Sequence, residues 1–372
     1  MVGGGPVGAS LARALAGLRV ALVAKPYKKP AQGSGFDARM YALSPGNVAW
    51  LKEIGAWQAL PVERLTPVHA MRIYGDGPRA RIEFDAYEAG VAELAWMVED
   101  AALQEALWRG VEALEGQCQT LQVDDDQALL GLTHGPVIKS ALIVGADGAD
   151  SFVRRAAGIP VREKDYGQTA LVANFATQKP HANIAYQWFQ GGAVLALLPL
   201  PGARVSMVWS LPSAEAARLQ ALTPEKLTEE VAAGARGELG ALDLESPVRG
   251  FPLRRLAAAR MIARRVALAG DARHVIHPLA GQGLNLGLQD ARALAAAVLG
   301  RESVRGPGDE RVLRRYERGR AEPILAMDAM VEGLFRLFGA HNSTLAKLRN
   351  AGLNLVDALP VLKNILVRQA MS

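Results

Sequence analysis

The chain has 372 residues, half of them hydrophobic and 21% charged, with a formal net charge of +5. That length exceeds one ordinary domain, so two closely joined domains with a large core are expected. The mild basic excess lacks the clustered Lys and Arg of a nucleic-acid binder, the single cysteine (Cys118) excludes an internal disulfide, and no apolar run approaches the ~20 residues of a membrane span. With no secretory signal either, the expected compartment is the cytoplasm.

In chain order, Gly3-Gly4-Gly5-Pro6-Val7-Gly8 is a GxGxxG followed by a helical run over Leu11 and Leu15 and closed by Gly17. Arg19 to Val23 then reads as a strand, so the segment opens like a dinucleotide-binding βαβ unit, a motif that is weak by itself. Arg39 follows in Phe36-Asp37-Ala38-Arg39. Read unaided, it suits a bidentate phosphate contact and a solvated surface position equally. Arg64 to Ala92 turns strand-like, and Glu93 to Gly110 reads as a return to the first domain with a helix over Leu103 and Leu107. Asp124-Asp125-Asp126 is expected to be a turn between strands, since no second ligand set makes it a metal site.

Leu142 to Asp150 (LIVGADGAD) is a buried strand ending in Gly145, Asp147 and Gly148. From Gln168 to Leu211 the period becomes that of antiparallel strands, with turns at Gly191-Gly192 and Pro201-Gly202. Leu197, Pro199, Met207 and Trp209 are candidate pocket residues there, with core packing the competing role. Thr223-Pro224 starts a capped helix, and Arg249 to Leu253 leads back to the first domain.

The most informative stretch is Val266 to Asp290, VALAGDARHVIHPLAGQGLNLGLQD. A short buried strand ends in Gly270 and Asp271. A loop with Pro278, Gly281 and Gly283 then enters a helix through Leu284 and Asn285 that closes at Gly300. A glycine loop feeding a helix N-terminus favours an electron-rich group, and a carboxylate at a strand end accepts hydrogen bonds from ligand hydroxyls. His274 and His277 invite an acid/base role or serve as backbone-bonded loop residues. The last helices carry Arg311, Arg314, Arg315, Arg318 and Arg320, then Leu355, Leu359, Leu362 and Leu366 on one face. Core packing and contact with a membrane surface or partner both fit.

Together, the GxGxxG, the Asp-Gly segment with Ser151 and Arg154, and the Gly-Asp segment resemble the FAD-dependent aromatic hydroxylases (single-component flavoprotein monooxygenases). The wording of the third segment, and the later Tyr316 to Arg320, Leu334 to Phe338 and Arg349 to Leu359, look most like their ubiquinone-biosynthesis branch. The resemblance implies an α/β chain. Its Rossmann-like FAD-binding domain would comprise 1–64, 93–165 and 250–310, with an inserted, mainly antiparallel substrate domain at 65–92 and 166–249 and a helical segment at 311–372.

FAD would be held by Gly3, Gly5, Gly8, Arg39, Asp147, Gly270, Asp271, Pro278, Gly281, Gly283, Leu284 and Asn285. Leu197, Pro199, Met207, Trp209 and His277 would wall the substrate, and no metal is implied. The implied reaction hydroxylates a prenylated phenol with NAD(P)H and O2 through a flavin hydroperoxide. A prenyl reductase and a non-catalytic flavoprotein or assembly subunit are the alternatives. The partners implied are the prenylated phenol, O2 and a peripheral membrane contact or a ubiquinone-biosynthesis complex, without nucleic acid.

Two departures from the pattern stand out. Only Met1 and Val2 precede Gly3, where a strand of about five or six residues would be expected; an upstream start or a shortened chain is the expected cause. Strand two ends Val23-Ala24-Lys25, without the acidic residue that holds a ribose, an omission worth about 1–3 kcal/mol of affinity.

Overall fold

The computed structural model describes residues 1–28, 35–75, 77, 80–277 and 282–339, the last helix without the side chains of 331 and 334–339. The calls on Pro278, Gly281 and the leucine-striped end from Leu355 to Leu366 lie outside the described residues. A short parallel sheet organises the nucleotide side. Ala113–Leu114 pairs with Leu22–Val23, Val2 bridges Val23 and Gly145, and Ile143–Gly145 pairs with Val266–Leu268. Ile262–Ala263 closes the order antiparallel. Residues 1–3 hold the interior place with four backbone bonds of 2.8 to 3.0 Å, two to Val144 and Ala146 and two to Val23.

Helices cover this sheet because their apolar residues recur at helical spacing. Pro6–Ala14 buries Ala9 and Leu11, Asp100–Trp108 buries Leu103 and Leu107, and Gly283–Leu299 buries Leu288, Ala291 and Leu294. All join one core, which also takes Val312 and Tyr316 from the long helix Glu310–Gly339. The expected helix ending at Gly300 is therefore present, with Gly300 as its cap. The expected strand Arg19 to Val23 is shorter, Leu22–Val23, and Val20 is exposed.

The second layer is a nine-stranded sheet whose centre is antiparallel: Val161–Thr177, Arg204–Pro212, Ala193–Leu200 and Ile184–Gln190. Beyond these, Ile184–Gln190 pairs in parallel with Ala70–Tyr74, a pairing of residues 65–92 with 166–249 that closes the inserted sheet. Val161–Thr177 and Arg249–Ala258 pair along ten positions, with a register shift between Asp165 and Gln168. The first of these strands spans the limit drawn at 165 from the sequence, and the second begins at Arg249, where the other limit was drawn. The turn at Asp124-Asp125-Asp126 joins Cys118–Val123 to Ala128–Leu132.

One face of the large sheet is covered by its own helices, Ser213–Gln220 and Pro224–Gly234. Leu171, Phe175, Trp188, Leu195, Leu197, Met207 and Trp209 pack there with Leu219, Leu227 and Val231. The other face turns to the nucleotide side, where Phe189 and Val194 meet Ile276 and Leu286. Successive strand residues alternate between faces. Leu197, Met207 and Trp209 are thus core residues under the helices. Pro199, also buried, shares the parity of Leu197. Ala196 and Val208, paired across Ala193–Leu200 and Arg204–Pro212, have the parity that faces the nucleotide side.

Candidate cofactor site

Two helix N-termini meet beside one acidic turn. Gly3 stands at φ +105°, and a side chain there would come within 2.1 Å of the Ala146 carbonyl oxygen. On Gly8 it would come within 2.0 Å of the Gly3 carbonyl. The turn is therefore closed by backbone against backbone, and only glycine permits it. Among the described residues, by contrast, no atom lies within 4 Å of a side-chain carbon placed on Gly5, Gly148 or Gly283.

Helix Pro6–Ala14 starts at Gly5 with no side-chain cap and Pro6 in its first turn, and its first bond is Ala9 N–H to Gly5 O. Helix Gly283–Leu299 also lacks a side-chain cap, and its first bond is Leu286 N–H to Gln282 O. The N–H groups of Gly283, Leu284 and Asn285 precede that bond. The two helices are held side by side through Val7. A side chain on Gly270, itself at φ +61°, would come within 3.1 Å of Val7, and one on Gly287 within 2.7 Å.

Asp271 follows Gly270 in the short turn Gly270–Ala272 and keeps solvent access. Arg39 lies close enough to act on it. Burial works against the Arg39 charge, but Tyr41, Asp100, Asp271 and Asp37 outweigh it and keep the guanidinium cationic. Its guanidinium carbon lies 5.5 Å from the Tyr41 ring centre.

The loop carrying Arg39 is fixed by residues the sequence reading passed over. Buried Glu99 accepts the Asp37 N–H at 2.6 Å and binds Arg64 through both oxygens. Asn174 Nδ2, from the large sheet, donates to the Phe36 and Asp37 carbonyls, each at 3.0 Å. Arg64 stacks over Phe36 at 4.6 Å.

Two predicted cofactor residues have their side chains engaged within the protein. Asn285, 1% exposed, accepts the Ser44 N–H and Asn47 Nδ2 at 2.9 Å each and donates to Ala42 O at 2.8 Å. Asp147 accepts Ser151 Oγ at 2.5 Å and the Val153 N–H at 3.1 Å, capping Phe152–Ala156. Arg154, from that helix, donates to Ala272 O at 2.9 Å, tying the Asp-Gly segment to the Gly270 turn. The pairing partners of Asn285 lie 238 to 243 residues away, and no local pattern marks them.

His277 is buried beside the large sheet. Gln168 Nε2 donates to Gly192 O at 3.1 Å, which turns Gln168 Oε1 toward His277 Nε2 at 3.0 Å. The ring meets Tyr166 edge-on, with centroids 4.8 Å apart. Burial lowers its pKa from 6.5 to about 4, against the pull of Glu332, so it is neutral at pH 7.

These residues fit a dinucleotide with a pyrophosphate and a polyol chain. Among the described residues nothing covers the two uncapped helix starts at Gly5 and Gly283, which favour phosphate. The exposed Arg39 guanidinium stands nearby, and the exposed Asp271 carboxylate can accept from hydroxyls.

The comparisons with known proteins agree. The FAD binding domain family matches residues 1–329. The chain is 33% identical to 3-demethoxyubiquinol 3-hydroxylase of Escherichia coli, covering 100% of this chain and 97% of that protein. It is also 33% identical to the ubiquinone hydroxylase UbiL of Rhodospirillum rubrum, covering 100% and 88%. Among solved structures, Pseudomonas aeruginosa PqsL in complex with 2-aminobenzoylacetate aligns with TM-score 0.75 and 27% identity over 95% of this chain and 98% of that one. Klebsiella pneumoniae HpxO complexed with FAD and uric acid shares the fold, at TM-score 0.76 and 17% identity over 99% and 96%. The nucleotide site and the family match over residues 1–329 make this chain a member of the FAD binding domain family and an FAD-dependent monooxygenase.

Proposed function

We propose that this chain hydroxylates the aromatic ring of a prenylated phenol in ubiquinone biosynthesis, with NAD(P)H and O2 as co-substrates. The observation that carries the reading is the 33% identity to ubiquinone hydroxylases over the whole length of the chain. When bound, FAD supplies the oxygen-activating chemistry, and the protein supplies place and environment.

In this reading the N–H groups of Gly5, Val7 and Gly8, with the Arg39 guanidinium, would hold the pyrophosphate. Asp271 would accept from the ribityl hydroxyls. The N–H groups of Gly283 and Leu284 would serve the flavin, where a positive helix end favours negative charge. The inner face of the large sheet, with Phe189 and Val194, gives the phenol an apolar wall that excludes water. Because Gln168 fixes His277 as the Nε2–H tautomer, its lone pair is at Nδ1. Tyr166, whose hydroxyl donates to Glu332 at 3.2 Å, holds the ring in place.

A prenyl tail requires access to a lipid surface. Among the described residues no helix is long and apolar enough to cross a membrane, so the proposed contact is peripheral. Removing residues after Pro360 is expected to lower binding to anionic vesicles.

The test is turnover with FAD, NADPH and a prenylated phenol, following O2 uptake and product mass. A product heavier by one oxygen atom with matching O2 consumption is expected. A reduced prenyl chain without O2 uptake would establish the reductase alternative, and no turnover with FAD bound the non-catalytic one.

A further inference from the structure

Among the described residues one carboxylate is completely buried, and it lies behind the site. Asp290, on helix Gly283–Leu299, is 0% exposed. Its Oδ2 accepts the Gly270 N–H at 3.0 Å and meets His274 Nε2 at 2.7 Å. Its Oδ1 accepts Arg320 Nε at 2.7 Å. Arg320, 5% exposed, comes from the long helix Glu310–Gly339 and also donates from Nη2 to Leu286 O at 3.3 Å. One helical turn earlier, Tyr316 donates its hydroxyl to Leu268 O at 2.7 Å. Leu268 ends the strand that leads into the Gly270–Asp271 turn.

The long helix therefore grips that turn twice, at the strand end through Tyr316 and at Gly270 through Arg320 and Asp290. An ion pair with no water is a poor device for stability alone, since apolar residues of similar size would hold two helices as well. What apolar residues could not do is accept the N–H of Gly270 at one fixed point. Desolvation pushes the Asp290 carboxyl up, but His274 and Arg320 outweigh it and keep the group ionised. Gly270 is the residue before Asp271, and Asp290 shares a helix with Gly283 to Asn285. One side chain thus relates the acidic turn to the helix N-terminus.

We infer that Asp290, Arg320 and Tyr316 are positioning residues for the flavin cofactor. They set the Asp271 carboxylate against the N-terminus of Gly283–Leu299 and make the long C-terminal helix part of the cofactor site. The inference rests on the reading that Asp271 binds FAD, and it assigns no contact with the cofactor to the three residues themselves.

The experiment titrates FAD into the apoprotein by flavin fluorescence quenching, with a thermal melt of each apo form and the visible circular dichroism of bound flavin as a second readout. Arg320→Gln leaves the buried carboxylate with only His274 and the Gly270 N–H, and Asp290→Asn leaves the Arg320 guanidinium without its carboxylate. Each is expected to weaken FAD about tenfold and to alter the dichroism. The double variant carries no lone charge, and the Asn oxygen still accepts the Gly270 N–H. It is expected to return to within about threefold of the parent, because residues in contact are not additive.

Tyr316→Phe removes one hydrogen bond and no charge, so it keeps the test decisive if the single charge variants do not fold. An increase of about threefold in Kd is expected. Parent-like Kd and dichroism in Tyr316→Phe and in every folded charge variant, with only the melts lowered, would overturn the inference and leave the pair as helix packing. Asp271→Asn separates the two levels. Unchanged FAD affinity there sinks the Asp271 reading and the inference with it, whereas weakened affinity beside inert Asp290, Arg320 and Tyr316 variants sinks the inference alone.

Discussion

At the proposed cofactor end, the groups that would meet a ligand are mostly backbone N–H, at Gly5, Val7 and Gly8 and at Gly283 and Leu284. The polar side chains around them, Asn285, Asp147, Glu99 and Arg154, hold the protein to itself. At the sheet end the roles are exchanged. The backbone is taken up in the ladders of nine strands, and only the side chains of one face are left to meet a substrate. Change at the first end should therefore act through backbone room and at the second through side-chain identity.

The sharpest way to break that contrast is Gly3→Val. The added carbon has the Ala146 carbonyl oxygen 2.1 Å away and the backbone at φ +105°. Strain and collision together are expected to destabilise the fold by more than about 4 kcal/mol, read from urea unfolding. A folded variant with the parent's midpoint would show that backbone crowding does not set this turn.

Next comes the parity of the sheet. Met207, fully buried under the helices, is expected to cost about 2–5 kcal/mol when cut to Ala, with FAD affinity unchanged. Val208→Phe, on the opposite face, should leave the midpoint near the parent's and raise KM for the phenol. If Val208→Phe instead lowers stability while Met207→Ala changes KM, the two faces have been exchanged.

The third effect is one of pH. His277 binds its proton at about 4 in the folded chain and at its ordinary 6.5 when unfolded. As pH falls, the unfolded state protonates first, so the stability held above pH 6.5 is lost on the way down to about 4. The loss is about 3 kcal/mol. His277→Gln should flatten that part of the profile in urea unfolding from pH 7 to 4, and a parallel curve would count against a buried, neutral imidazole. The smallest effect is that of Asp271→Ala, about 1.5–3 kcal/mol of FAD affinity at unchanged stability. Equal affinity would remove Asp271 from the site.

The cofactor end was legible because its requirements are local. Gly3 and Gly270 take positive φ, and the apolar spacing of 284 to 299 spells a helix without its partners. The sheet was legible as strands but not as faces. Both sides are covered, so Ala193–Leu200 shows no polar side to tell Leu197 from Leu198. The links from Asn285 to Ser44 and Asn47, and from Glu99 to Arg64 and Asp37, join segments far apart in the chain, and a period-based reading cannot see them. Asp290 did leave a trace, an acid among Gly287, Ala291 and Leu294 on the buried side of a helix. An ionisable group in that position signals a partner, and Arg320 was on the page as one of several basic residues on the last helices.

The packing of Val7 against Gly270 and Gly287 bears on how the chain is made. The first helix leaves the ribosome long before its neighbour at 283–299 exists. Until then Leu11 and Leu15 lack the core they share with Leu288 and Leu294. A contact that spans most of the sequence is slow to form and leaves apolar surface uncovered meanwhile. In the proposed site FAD cannot assist at that stage, because a ligand stabilises only the form that binds it, and that form would need Gly270, Asp271 and the second helix end. In that reading vitamin supply to the cell acts on this protein only after the helix at 283–299 has been translated, as a late clamp on a chain already close to its final shape.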